Sequence, residues 1–184
     1  LKRLRGEKRF ESVEALIEAG RRIGIRLHAV RGSMDRGESK GGLPPDSIVE
    51  GTDEALADTE RAIGKYHDSS TEALIQVAVG PCSPFSASTE LMRESAVLAR
   101  KYGVRLHTHL AETKDEEEQC LREFGKTPVA YAESLGWLGS DVWLAHGVHL
   151  NDDEVSLMGR TGTGIAHCPS SNARLGSGMA PVRG

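Results

Sequence analysis

The residues best suited to chemistry lie in the short segment RLHTHLAET, at residues 105–113. His107 and His109 are two positions apart, and Glu112 follows three residues after the second histidine. Alternate side chains of a β-strand point to the same face, so both imidazoles are expected on one side. Neutral imidazole is a preferred zinc ligand, and a nearby carboxylate can accept a proton from an activated water. The segment therefore indicates part of a metal-dependent hydrolytic site.

Comparable polar residues follow the other apolar segments of the chain. They are His28 and Arg31, then Cys82, then His146 and His149, and finally His167. A single buried histidine is more often a hydrogen-bonded core residue than a ligand, and that interpretation stays open for each of them. Five successive segments ending in this way favour a functional site. A hydrolytic zinc site needs about three protein ligands. This chain offers His109, together with His146 as either a ligand or an orienting group.

Cys82 and Arg31 are candidates for substrate binding. Cys82 lies at a strand end beside two prolines, with no neighbouring base to make it a nucleophile, so we expect it to line a pocket. Arg31 lies beside a long loop and could bind a carbonyl or an anionic ring edge; the alternative is a solvated loop arginine. The loop at 36–47 is rich in glycine and proline and is expected to close over the substrate.

Alternating helical and strand patterns must position these groups. Apolar strand patterns occur at 25–30, 73–80, 104–110, 142–150 and 163–171, each separated from the next by a helical pattern. Such an α/β order implies right-handed parallel crossovers. No GxGxxG or GxxxxGK[ST] motif follows a strand, so a nucleotide-binding fold has no support. We predict a partial (β/α)8 TIM-type barrel, because in barrels the chemistry lies at the carboxyl ends of the strands.

Composition argues against several other classes of protein. The 184 residues carry a mixed charge of −4 with no basic patch, and only 4% are aromatic, so nucleic acid is not an expected partner. No apolar run approaches the ~20 residues of a membrane span, and the chain starts without a signal-peptide pattern. Three separated cysteines argue for a reducing compartment, and we predict a cytoplasmic protein. Both chain ends suggest that residues 1–184 are the central fragment of a longer protein.

Four segments together resemble the amidohydrolase superfamily, in its aminohydrolase branch of purine, pterin and triazine deaminases. They are GPCSPFSAS, LHTHLAET, LAHGVHL and AHCPSSNARLGSGMAPVR. The resemblance implies a single metal-dependent hydrolase barrel with one divalent ion, zinc or alternatively iron. It also implies that this chain covers about strands 3 to 7. Strands 1, 2 and 8 and a small β-sandwich are then expected outside residues 1–184.

The resemblance also implies roles for individual residues. By position, His109 resembles the metal ligand of strand 5. Glu112 resembles the carboxylate that shuttles a proton to the substrate ring, and His146 resembles the histidine beside the hydrolytic water. Many relatives have histidine where this chain has Cys82, and there it contacts substrate. The remaining ligands, a His-x-His pair on strand 1 and an Asp on strand 8, are expected beyond this chain.

The implied activity is hydrolytic deamination of a small heterocyclic substrate by a full-length protein that is a homo-oligomer. The segments RGSMDRGESKGGLPPDS and PCSPFS are most similar to 8-oxoguanine deaminases, which form urate and ammonia. Hydroxyatrazine ethylaminohydrolases and isoxanthopterin deaminases have similar segments and provide the alternatives. The non-enzymatic alternative is an inactive remnant of a barrel.

Overall fold

Five parallel strands form the sheet of this protein. The computed structural model describes the backbone of residues 7–182 and the side chains of residues 12–182. The strands are β1 (Leu27–Ser33), β2 (Ile75–Pro81), β3 (Arg105–Leu110), β4 (Val142–His146) and β5 (Gly164–Ala166). Their spatial order is β1-β2-β3-β4-β5, and every neighbouring pair is parallel. Because sequential parallel order is that of consecutive barrel units, the predicted architecture is confirmed.

Helices connect the strands and cover the sheet. Those in the described residues are α1 (Glu7–Ile23), α2 (Thr52–Tyr66), α3 (Thr89–Tyr102), α4 (Lys114–Phe124), α5 (Pro128–Ser134), α6 (Asp152–Thr161) and α7 (Pro169–Leu175). Their starts follow local chemistry: the hydroxyls of Ser88 and Thr113 accept hydrogen bonds from backbone N–H groups in the first turns of α3 and α4. Between residues 7 and 182, none of the helices combines the length and apolar character needed to cross a membrane.

The core lies between the sheet and its helices and holds the strand ends in place. Val77, Leu106 and Leu144, one from each of three adjacent strands, are buried in a single apolar cluster. Trp137 is fully buried in the same cluster, and its indole nitrogen donates to the Met92 carbonyl at 2.8 Å. Truncating such a side chain to alanine typically costs about 3–5 kcal/mol. The strand ends that carry the polar residues are therefore fixed to a rigid layer.

Three element boundaries differ from those predicted. β1 continues to Ser33, three residues past the strand predicted for 25–30. The strand predicted for 142–150 ends at His146, whose φ of 77° takes it out of the extended conformation. The strand predicted for 163–171 has only three residues, and Pro169 begins α7. Proline favours the first turn of a helix because it has no N–H to leave unpaired there, so the missed helix has a clear physical cause.

The loop after β1 is bound to its neighbours on two sides. Arg36 donates to the carbonyls of Lys40 and Gly41 at 3.0 and 3.1 Å, which closes the loop on itself. The same guanidinium forms an ion pair with Glu123 of α4 at 2.8 Å. The Leu43 N–H donates to the Phe85 carbonyl at 3.2 Å, which fixes the loop to the segment after β2. Closure of this loop over a substrate stays a prediction.

Candidate active site

The carboxyl ends of β3 and β4 bring three of the predicted residues together. In the parallel pairing of these strands, His109 lies opposite Ala145, and His146 is the next residue. The two imidazole ring centres are 5.5 Å apart. The carboxylate oxygen Oε1 of Glu112 lies 3.5 Å from Nε2 of His146. Two imidazoles and a carboxylate therefore share one small site at this end of the sheet.

Both imidazoles are held through Nδ1. The Cys82 carbonyl lies 2.6 Å from Nδ1 of His109, and the side-chain oxygen of Asn172 lies 2.8 Å from Nδ1 of His146. A carbonyl oxygen only accepts hydrogen bonds, so each Nδ1 carries the hydrogen and each Nε2 of the neutral ring has a free lone pair. Metal-binding histidines are oriented in this way by an oxygen behind the ring. The donor set therefore fits a divalent ion, which Nε2 of His109 could bind.

Sequence reasoning missed Asn172. It lies in the first turn of α7 and is 1% exposed, directly behind His146. The missed helix explains this, because a strand through 163–171 would not bring residue 172 back to the sheet edge. Pro169 was the available signal, since proline followed by polar residues is a common helix start.

His107 supports the site from within the strand. Its Nδ1 lies 3.1 Å from the Trp143 carbonyl, and its ring stacks on the Trp143 indole with centres 4.8 Å apart. Burial lowers the pKa of His107. In the metal-free protein, the thiol and then the carbonyl of Cys82 raise the pKa of His109 to about 9, although burial opposes this. A divalent ion would therefore have to displace a proton from Nε2 of this ring. His107 and His109 thus lie in environments that shift their pKa values in opposite directions.

Cys82 contacts His109 with both backbone and side chain. Its thiol sulfur is 4.0 Å from Nδ1 of His109, and it lies at the end of β2 beside the imidazoles. The side chain is partly exposed, so it remains available to line a substrate pocket. A cavity of about 530 Å³ is lined by Asn172, behind His146, together with residues that include His167 and Met179.

Arg31 has a different set of partners from the predicted one. Its guanidinium donates to both carboxylate oxygens of Glu50 at 2.8 Å and to Asp58 at 3.1 Å. The side chain is 4% exposed. A bidentate pair with one carboxylate and a contact with a second occupy its donors, so the geometry supports a structural role. The predicted contact between Arg31 and a substrate stays a prediction.

No group of three His, Cys, Asp or Glu side chains that could hold a metal ion is found among residues 7–182. The site described here contributes two imidazoles and a carboxylate.

The model of the amidohydrolase family matches residues 6–184. The chain belongs to the amidohydrolase family. Among its curated relatives, it is 53% identical over 160 residues to the 8-oxoguanine deaminase of Pseudomonas aeruginosa, covering 87% of this chain and 36% of the relative. It is 42% identical to an isoxanthopterin deaminase from an unknown prokaryotic organism, covering 95% of this chain and 36% of the relative. The chain thus spans little more than a third of the length of these relatives.

Solved structures of the family share the fold of this chain. An atrazine chlorohydrolase from Arthrobacter aurescens TC1, complexed with zinc, superimposes with a TM-score of 0.88 at 36% identity, over 93% of this chain and 38% of that one. A guanine deaminase from C. acetobutylicum with bound guanine gives a TM-score of 0.79 at 31% identity, over 93% of this chain and 40% of that one. The predicted fold, part of a metal-dependent hydrolase barrel, is confirmed.

Proposed function

We propose that the protein containing this chain hydrolyses an amino group from a nitrogen heterocycle. The observation that carries the proposal is the contact between the Glu112 carboxylate and Nε2 of His146, 3.5 Å apart and beside His109. A carboxylate and an oriented imidazole at one strand edge can move protons between a water molecule and a substrate. The named deaminases among the relatives support the reaction class.

The proposed metal ligand in this chain is Nε2 of His109. The remaining ligands are proposed to come from a His-x-His pair on barrel strand 1 and an Asp on strand 8, outside residues 1–184. Zinc is the preferred ion, with support from the zinc in the related atrazine chlorohydrolase structure, and iron is the alternative. When bound, such an ion would lower the pKa of a water molecule toward neutrality.

Glu112 has the central role in the proposed mechanism. Its carboxylate takes a proton from the attacking water and passes it to a ring nitrogen, which makes the adjacent carbon more electrophilic. His146 accepts a hydrogen bond from the same water through Nε2, because Asn172 holds its hydrogen on Nδ1. The water oxygen bonds to the carbon that carries the amino group. The remaining proton of the water passes through His146 to the amino group, the carbon–nitrogen bond breaks, and ammonia leaves.

The proposed substrate is 8-oxoguanine, which with one water would give urate and ammonia. The support is the 53% identity with the Pseudomonas aeruginosa 8-oxoguanine deaminase. Isoxanthopterin is the second candidate, on the 42% identity with its deaminase. An N-alkylaminotriazine is the third, on the 38% identity over 92% of this chain with the hydroxydechloroatrazine ethylaminohydrolase of Pseudomonas sp. strain ADP. Cys82, next to His109, is the proposed side chain that contacts the ring.

The test is amine release by the full-length protein that contains this chain, with its metal content measured in the same sample. The substrates compared are 8-oxoguanine, isoxanthopterin and hydroxyatrazine. The expected result is the highest kcat/KM for 8-oxoguanine and one divalent ion per subunit. A higher value for either other ring would replace the proposed substrate. No release from any of them would favour the inactive remnant.

A further inference from the structure

Glu116 is a buried carboxylate beside the proposed site. It lies in the first turn of α4 and is 1% exposed. Its Oε1 accepts a hydrogen bond from the Ala111 N–H at 2.8 Å, and its Oε2 accepts one from the Glu112 N–H at 3.0 Å. Both oxygens therefore hold the backbone of the proposed proton shuttle.

Comparison with a second glutamate shows that the hydrogen bonds of Glu116 extend further along the chain than those of ordinary helix capping. Glu154 occupies the corresponding third position of α6, and its Oε2 accepts from the N–H of its own N-cap residue, Asn151, at 3.1 Å. Glu116 extends past its own N-cap, Thr113, to the two residues before it. The Thr113 hydroxyl already accepts the Glu116 N–H at 3.3 Å and caps the helix. The extra contacts of Glu116 thus act on the turn that carries Glu112.

That turn needs support from its surroundings. Ala111 has a φ of 53°, in the left-handed region that residues with a Cβ seldom adopt. Its carbonyl accepts from the N–H groups of Val148 and His149, at 2.8 and 3.0 Å, in the segment after His146. Glu116 holds the N–H groups of the same turn from the other side. The starting point of the Glu112 side chain is therefore set by Glu116 and by the segment after His146.

Burial raises the pKa of Glu116 to about 7, while its two backbone N–H donors oppose the rise. Burying a charged carboxylate costs free energy unless hydrogen bonds or opposite charges compensate for the lost water. The contacts that it makes here are those with Ala111 and Glu112.

We propose that Glu116 is the positioning residue for Glu112: its carboxylate fixes the Ala111–Glu112 backbone so that the Glu112 side chain faces His146 Nε2. Glu116 itself contacts neither the proposed substrate nor the proposed metal. This inference rests on the proposed function, because it assigns Glu116 a role in that reaction.

The first test is Glu116→Gln in the full-length protein. The amide NH2 group would face a backbone N–H, so one of the two contacts would be lost. We expect kcat to fall by about tenfold or more, since small misplacements of a catalytic group are costly. KM should change by less than about twofold, and metal content should not change, because Glu116 acts on proton transfer alone. Glu154→Gln is the matched control and should keep kcat within about twofold of wild type.

Glu116→Asp covers the case in which the Gln variant does not fold. It keeps the charge but shortens the reach, and it should lower kcat in the same way. Wild-type kcat in either folded variant would overturn the proposal. Equal losses in the Glu116→Gln and Glu154→Gln variants would also overturn it, because they would indicate a general effect of capping.

A double-variant comparison separates positioning from general damage. If Glu116 acts through Glu112, adding Glu116→Gln to Glu112→Gln should lower kcat no further. Independent, multiplicative losses would overturn the proposal.

Amide hydrogen exchange provides a test that needs no activity: the Ala111 and Glu112 amides should exchange faster in Glu116→Gln, whereas the Asn151 amide should not. If wild type releases no amine, the proposed function fails. Unchanged exchange at Ala111 and Glu112 would then overturn the positioning role independently.

Discussion

The contact between Asn172 and His146 allows a quantitative test of how the site is oriented. In Asn172→Ala, the buried Nδ1–H of His146 loses the oxygen that lies 2.8 Å away. An unsatisfied buried donor costs about 1–3 kcal/mol, which corresponds to roughly 5- to 150-fold in an equilibrium. The ring can avoid this cost by moving its hydrogen to Nε2 or by rotating. Either change removes the acceptor that faces Glu112, so we expect kcat to fall by roughly the same factor.

The assay is steady-state amine release by full-length wild type, Asn172→Ala and Asn172→Asp. The Asp variant keeps an acceptor oxygen, and the Nδ2 atom that it removes has no hydrogen-bond partner in the described residues. We therefore expect kcat of Asn172→Asp to lie closer to wild type than that of Asn172→Ala. Nitrogen-15 NMR of the apoprotein should show the Nδ1–H form of His146 in wild type and a mixture in Asn172→Ala. A wild-type kcat in folded Asn172→Ala would refute the orienting role.

Three further predictions concern the surroundings of the site. Cys82→His should change relative rates among purine, pterin and triazine substrates by more than it changes metal content; unaltered relative rates would argue against a substrate contact. Arg31→Met removes the buried guanidinium that binds Glu50 and Asp58, so the free energy of unfolding should fall by about 3–5 kcal/mol in denaturant titrations. KM of the folded Arg31→Met variant should remain near wild type, and a large rise in KM would support the substrate-binding role. The pKa of Glu116 rises from 4.5 to about 7 on folding. Between pH 4.5 and pH 7, the protein therefore takes up a proton at Glu116 when it folds. Its contribution to stability should therefore decline by roughly 3 kcal/mol as pH rises from 4.5 to 7. Urea titrations should show this decline in wild type but not in Glu116→Gln, and parallel pH profiles would contradict it.

The proximity of His109, Glu112 and His146 was predictable because it depends on topology. Neighbouring parallel strands end at one edge of the sheet, so polar residues at those ends must approach each other. Apolar strand patterns separated by helical patterns were enough to establish the strand count and the parallel order. The resemblance then implied roles for the residues at that edge, and those roles stay predictions.

The contacts behind the site were not predictable, because they join residues that are distant in sequence. Arg31 pairs with Glu50 and Asp58, which lie 19 and 27 positions away, and no local spacing reveals such a cluster. Asn172 reaches His146 only because α7 turns the chain back toward the sheet edge. Glu116 lies in a run of four acidic residues, 115–118, and nothing in that run reveals that its side chain turns inward to the N–H groups of Ala111 and Glu112.

Glu112→Gln in the full-length protein tests the central claim most directly, because it keeps the shape of the side chain and removes its ability to carry the proton. General acid–base groups typically contribute about 10²- to 10⁴-fold in rate, so we expect kcat for amine release to fall within that range. Metal content should be unchanged, since the proposed ligand is His109. Near-normal turnover with the metal still bound would contradict the account.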